Sequence, residues 1–126
     1  MIDVEKHVTY WQKGAVEDWD VAIQLIAINK IRHGLFFLHL ALEKLLKAHV
    51  CRYTGEIAPR IHNLVRLAEL SGVVLTTKQL DILAEMNPYN LEGRYPEMWG
   101  PISSAEEATL AIADSTEVFT WLMNQL

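Results

Sequence analysis

The sequence predicts an all-α protein, an antiparallel bundle of four to five helices. Three observations carry that expectation. Apolar residues recur at three- and four-residue steps through most of the 126 residues. Capping patterns and Gly or Pro breaks separate the runs. No segment alternates convincingly as a strand does, and Gly72-Val-Val-Leu-Thr is too short and isolated to build a sheet.

The first helix is expected from about His7 to Asn29, with Trp11, Ala15, Trp19, Ala22 and Ile26 on one stripe and Glu17, Asp18 and Asp20 mostly facing away. A tight connection near Asn29 leads to a second helix, about Lys30 to Tyr53. It is apolar almost all round, which predicts a central position with partners on several faces. Thr54-Gly55 ends it and Pro59 keeps it ended. A short third helix covers Ile61 to about Leu70, stopped by Ser71-Gly72. Thr76-Thr-Lys-Gln79 is a capping box for a fourth helix reaching about Met86. Residues 87–101, with three prolines, two glycines, Tyr89, Tyr95 and Trp99, are expected to form a long loop, the kind that often carries function. Ser103-Ser-Ala-Glu106-Glu107 offers two overlapping capping boxes for the last helix, whose buried face would be Ala108, Ala111, Ile112, Ser115, Phe119 and Leu122. The length fits one domain, residues 1–126.

About half of the residues are apolar, so the chain can bury a core. No uncharged apolar stretch is long enough to span a membrane, and the N-terminus does not read as a signal peptide. The single cysteine, Cys51, cannot form an internal disulfide, and a reducing cytoplasm is the simplest setting. The net charge of −5 hides an asymmetry: residues 30–66 carry +5 and the remainder −10. The acidic total argues against nonspecific binding to duplex DNA. The basic segment either neutralises acidic neighbours, within the bundle or across a dimer, or forms a local anion site for a nucleotide, RNA or acidic partner.

The chemistry concentrates in His39-Leu-Ala-Leu-Glu43-Lys44-Leu-Leu-Lys47-Ala48, which sets charge in an otherwise core-like run. Buried charge costs several kcal/mol unless paired. Glu43 and Lys47 are spaced i, i+4, in the favourable order for an ion pair, and Lys44 points to another face. The pair either fixes packing or, through Lys44 or Lys47, binds phosphate with Glu43 orienting it. Arg32, His39 and Glu43 can share one strip of the second helix, since seven and eleven steps of about 100° return to nearly one direction. Arg32 and His39 are what metal-independent RNA cleavage would need, a proton carrier beside a cation for the phosphorane. A buried, purely structural His39 is the competing reading. His62 is placed to anchor the start of the third helix or to join the anion site. Arg94 and Tyr95 suit recognition of phosphate plus base, or docking of the loop. No metal-ligand spacing, Walker or Rossmann glycine pattern, or helix-turn-helix signature is present, so no metal and no cofactor are expected.

Trp11, Asp18 and Ala22, the run from His39 to Ala48, then His62-Asn-Leu64 and Arg94-Tyr95-Pro96 occur in one order. Together they resemble the HEPN domain family (higher eukaryotes and prokaryotes nucleotide-binding), from about Tyr10 to the last helix. The resemblance implies a four-to-five-helix bundle, commonly a homodimer. It also implies a small nucleotidyltransferase as protein partner, the two resembling a toxin–antitoxin pair. Some members are thought to bind nucleotides and others cleave RNA. The ribonuclease branch is marked by Arg, four to six residues, then His, late in the domain. Here no histidine follows His62, which sets a nucleotide- or RNA-binding role using Glu43, Lys44, Lys47, His62, Arg94 and Tyr95 ahead of cleavage by Arg32 and His39. A dimeric interaction bundle without a small ligand is the third reading.

Overall fold

A computed structural model describes residues 2–95 and 103–126, with the backbone alone for 91–94. The described residues form five helices and no strand: α1 (Val4–Ala27), α2 (Ile31–Thr54), α3 (Leu64–Leu70), α4 (Thr77–Arg94) and α5 (Ala105–Gln125). Asp3 opens α1 three residues earlier than the apolar stripe alone indicates, because its carboxylate caps the Lys6 N–H. Asn29 turns the chain between α1 and α2 at φ 63°, a left-handed conformation that asparagine tolerates better than most side chains. Lys30 N–H then donates to the Leu25 carbonyl, closing the end of α1.

The two long helices pack closely because small residues sit where they meet. Ala15 and Ala22 on α1 are wholly buried, and a Cβ at Gly34 of α2 would lie 2.3 Å from Ile26 Cγ1. As expected, α2 is central and packs on all four other helices. Its leucines 35, 38, 42, 45 and 46 form the core with Leu64, Leu67, Leu83 and Leu122. Each fully buried leucine is worth about 2 kcal/mol of transfer free energy. On α5, Ala108, Ser115, Phe119 and Leu122 are buried as expected, Val118 joins them, and Ala111 and Ile112 are half-buried.

Three expectations need correction. First, the fourth helix does not stop at Met86: α4 continues through Pro88 to Arg94, so residues 87–94 are helix rather than loop. Pro88 removes one backbone donor, but Tyr89 packs on the core, Asn90 is buried and the Asn87 side chain is engaged elsewhere, so tertiary contacts outweigh the local break. The rest of the expected loop, with Pro96, Trp99 and Pro101, lies outside the described residues. Second, α3 starts at Leu64, not Ile61, because Asn63 is its cap and accepts from Arg66 N–H at 3.0 Å. Third, Asp18 does not face away but pairs with Lys44.

The Thr76–Gln79 capping box closes reciprocally, at 2.8 and 3.1 Å. Of the two overlapping boxes before α5, Ser104–Glu107 is used. Among the described residues no helix is long and apolar enough to cross a membrane.

Candidate functional site

Glu43 is the hub of the polar cluster. It lies mid-way along α2, 3 % exposed, and both of its oxygens are used. Oε2 accepts from Lys47 Nζ at 3.1 Å, one turn on. Oε1 lies 3.0 Å from His62 Nδ1 and 3.8 Å from His39 Nδ1. Lys47, itself buried, sets its ammonium 5.3 Å from the centre of the Trp11 ring on α1. The Lys47 charge thus sits between a carboxylate and an aromatic face.

His39 is wholly buried, and neither ring nitrogen has a hydrogen-bond partner of good geometry among the described residues. Burial is the largest influence on it and pushes its pKa down to about 4, against the opposing pull of Glu43 and weaker contacts with the Asn87 side chain and the His62 backbone. His39 is therefore neutral near pH 7. His49, also buried, donates from Nε2 to the Leu122 carbonyl at 2.8 Å, and burial lowers its pKa as well.

His62 differs from both. It sits just before the cap of α3 with its side chain 48 % exposed, and the bond to Glu43 occupies Nδ1. Nε2 is then the nitrogen that can meet a ligand. Asn87, reaching from α4, accepts from Leu64 N–H at 2.9 Å and donates to Asn63 at 3.4 Å, tying the first turn of α3 to α4. Three elements thus converge on the Glu43 carboxylate: α2 supplies it, the segment before α3 supplies His62, and α4 holds that segment in place.

The other candidate residues fall elsewhere. Lys44, on another face of α2 as its spacing requires, pairs with Asp18 at 2.8 Å, and its stem packs against Gly14. Arg32 is half-buried and already has a partner within the chain. Arg94 is the last residue of α4 and its side chain lies outside the described residues, while Tyr95 directly follows the helix with its ring half-exposed. The structure brings together His39, Glu43, Lys47 and His62. Sequence reasoning missed Trp11 and Asn87 as members of the cluster. Trp11 was visible as part of a stripe and of the family resemblance but not as a neighbour of Lys47, and Asn87 was hidden by its place before a proline. Among the described residues no group of three His, Cys, Asp or Glu side chains is arranged to hold a metal ion.

The cluster can do two things chemically. The buried Glu43–Lys47 pair fixes packing around α2. The outward edge, His62, can donate a hydrogen bond from Nε2 to an anion when the ring is protonated.

The profile of the HEPN domain matches residues 8–126. No curated protein matches the chain. Among solved structures, the fold is similar to TT1696 from Thermus thermophilus, with a TM-score of 0.81 at 17% identity, covering 94% of this chain and 98% of that one. It is also similar to ST0689, an archaeal HEPN homologue, with a TM-score of 0.72 at 20% identity, covering 99% and 98%.

Proposed function

The chain belongs to the HEPN domain family, and on that premise we propose that it is a nucleotide- or RNA-binding module whose phosphate contact is built around His62. The observation that supports this reading is the pairing of a half-exposed imidazole with a buried carboxylate. Glu43 orients His62 through Nδ1 and leaves Nε2 for a phosphate oxygen. Lys47 supports the site by holding Glu43 rather than by reaching the ligand, since it is buried. Lys44, bound to Asp18, borders another surface, and Arg94 with Tyr95 would add phosphate and base contacts from the end of α4. A second copy of the chain and a small nucleotidyltransferase complete the reading as protein partners. Residues 1–126 would act as one domain.

The alternative, metal-independent RNA cleavage by Arg32 and His39, has less support: a wholly buried, neutral His39 meets no RNA in this conformation. The reading as an interaction bundle without a small ligand draws its support from the ion pairs that engage Lys44 and Lys47.

Calorimetric titration with a nucleotide panel and a short single-stranded RNA tests the proposal, using wild type beside His62→Ala. Binding by wild type and its loss in His62→Ala, with circular dichroism showing that the variant is still folded at the titration temperature, is the expected result. Failure of every ligand at millimolar concentration contradicts the phosphate site and leaves the interaction bundle.

A further inference from the structure

A second surface, away from His62, has the chemistry of a docking groove. It runs between α4 and α5, encloses about 280 Å³, and has Ile82, Tyr89 and Leu110 on its floor and walls. Leu110 is 65% exposed, on a helix whose other large apolar residues are turned to the core or half-buried. The rim is acidic: Glu85 from α4, with Glu107 and Asp114 from α5. Glu85 and Glu107 are exposed and Asp114 is half-exposed. No ion pair engages these three carboxylates among the described residues. The sequence of α5 contains no Lys or Arg at all.

We infer that this groove docks a basic, amphipathic segment of another protein, with an apolar side chain set against Leu110 and Lys or Arg side chains along the Glu85, Glu107 and Asp114 rim. Charge complementarity selects this occupant. An apolar floor alone would accept many helices, but three carboxylates without an ion pair, of which Glu107 also accepts from Ser104 Oγ in its capping box, disfavour an acidic occupant and favour a cationic one. A second copy of this chain is a weaker occupant, because within its basic segment only Lys30 and Arg60 are exposed without an ion pair among the described residues. Lys44, Lys47, Arg52 and Arg66, in its basic segment, are held in ion pairs by its own carboxylates. Seating an amphipathic helix in a groove needs an apolar anchor on one face and charge at the margins, which is how Leu110 and the rim are disposed. The inference is independent of the phosphate site at His62.

The test is fluorescence anisotropy with a short labelled amphipathic peptide of Lys and Leu, beside two control peptides, one with Glu replacing Lys and one with Ser replacing Leu. Saturable binding of the first peptide alone, weakening with salt, is expected. Asp114→Lys and Leu110→Ser should each weaken it about tenfold or more. Asp20→Lys, the same charge change on α1, should leave it unchanged. Both groove substitutions are at solvent-accessible positions, and circular dichroism checks that the helices persist. No binding at millimolar concentration overturns the inference, as does binding that ignores Asp114→Lys and Leu110→Ser. So does self-association of the chain that Leu110→Ser abolishes without peptide affinity, which would give the groove to a second copy.

Discussion

The α1–α2 hairpin and the α4–α5 pair use charge in opposite ways. Across α1 and α2, Ala15, Ala22 and Gly34 bring the backbones close, and the charges on the shared face are matched: Lys44 with Asp18, and Arg52 with Glu5. The Glu43–Lys47 pair is buried within α2. Across α4 and α5 the helices leave a groove, and its carboxylates stand without counter-ions among the described residues. Paired, buried charge is architectural, because separating it strands an ion in a poor solvent. Unpaired, accessible charge costs little to keep solvated and is free to meet a ligand. The basic segment of the sequence is therefore mostly engaged in internal pairing, whereas the carboxylates lining the α4–α5 groove are not. His62 is the place where the two regimes touch.

Substitutions can break this contrast, and they are ordered by expected effect. Lys47→Ala leaves Glu43 buried without its cation and should cost about 3–5 kcal/mol in chemical denaturation. A loss below about 1 kcal/mol would mean that the pair is not architectural. This cost also makes Lys47→Ala a poor probe of ligand binding, since lost binding would not be separable from a weakened fold.

Acidification comes next. His39 is neutral when folded, with a pKa near 4 against 6.5 in the unfolded chain, so unfolding takes up a proton below pH 6.5. The stability conferred by the depressed pKa is present above pH 6.5 and is lost as pH falls towards 4, by roughly 2–3 kcal/mol. His49, shifted the same way, adds to that slope. Denaturation of His39→Leu over this pH range should show a flatter dependence, and an unchanged slope would place the proton uptake elsewhere.

Gly34→Ala puts a Cβ 2.3 Å from Ile26 Cγ1 and 3.2 Å from the Ala22 carbonyl oxygen, so the Ile26 side chain or the helices must shift. A cost of about 1–3 kcal/mol is expected, lowering the melting temperature. On the other pair, Lys78→Ala removes an exposed bridge to Glu117 and should change stability by less than about 0.5 kcal/mol. A larger effect there than at Gly34 would reverse the comparison.

Much of the architecture was legible because it rests on local rules. The apolar stripe of the first helix, the central second helix, the Thr76–Gln79 capping box and the i, i+4 relation of Glu43 to Lys47 all follow from helix periodicity. So does the placement of Lys44 on a different face. The departures arise where distant residues decide. Pro88 reads as a break, but the contacts of Tyr89 and Asn90 keep α4 going to Arg94. His62 reads as a local anchor for the third helix. In the structure it is fastened to Glu43, nineteen positions earlier in the chain, while the local cap is Asn63. Trp11 joins the cluster only because α1 lies against α2. Spacing within one helix cannot show a partner brought by another.

The most direct test of the central claim, that Glu43 turns His62 alone among the clustered histidines towards a ligand, is an NMR titration of the histidine ring nitrogens with AMP at constant pH. His62 Nε2 is expected to shift saturably while the buried rings of His39 and His49 stay in place. A titration in which His62 does not respond, or in which His39 shifts while His62 stays fixed, would contradict it.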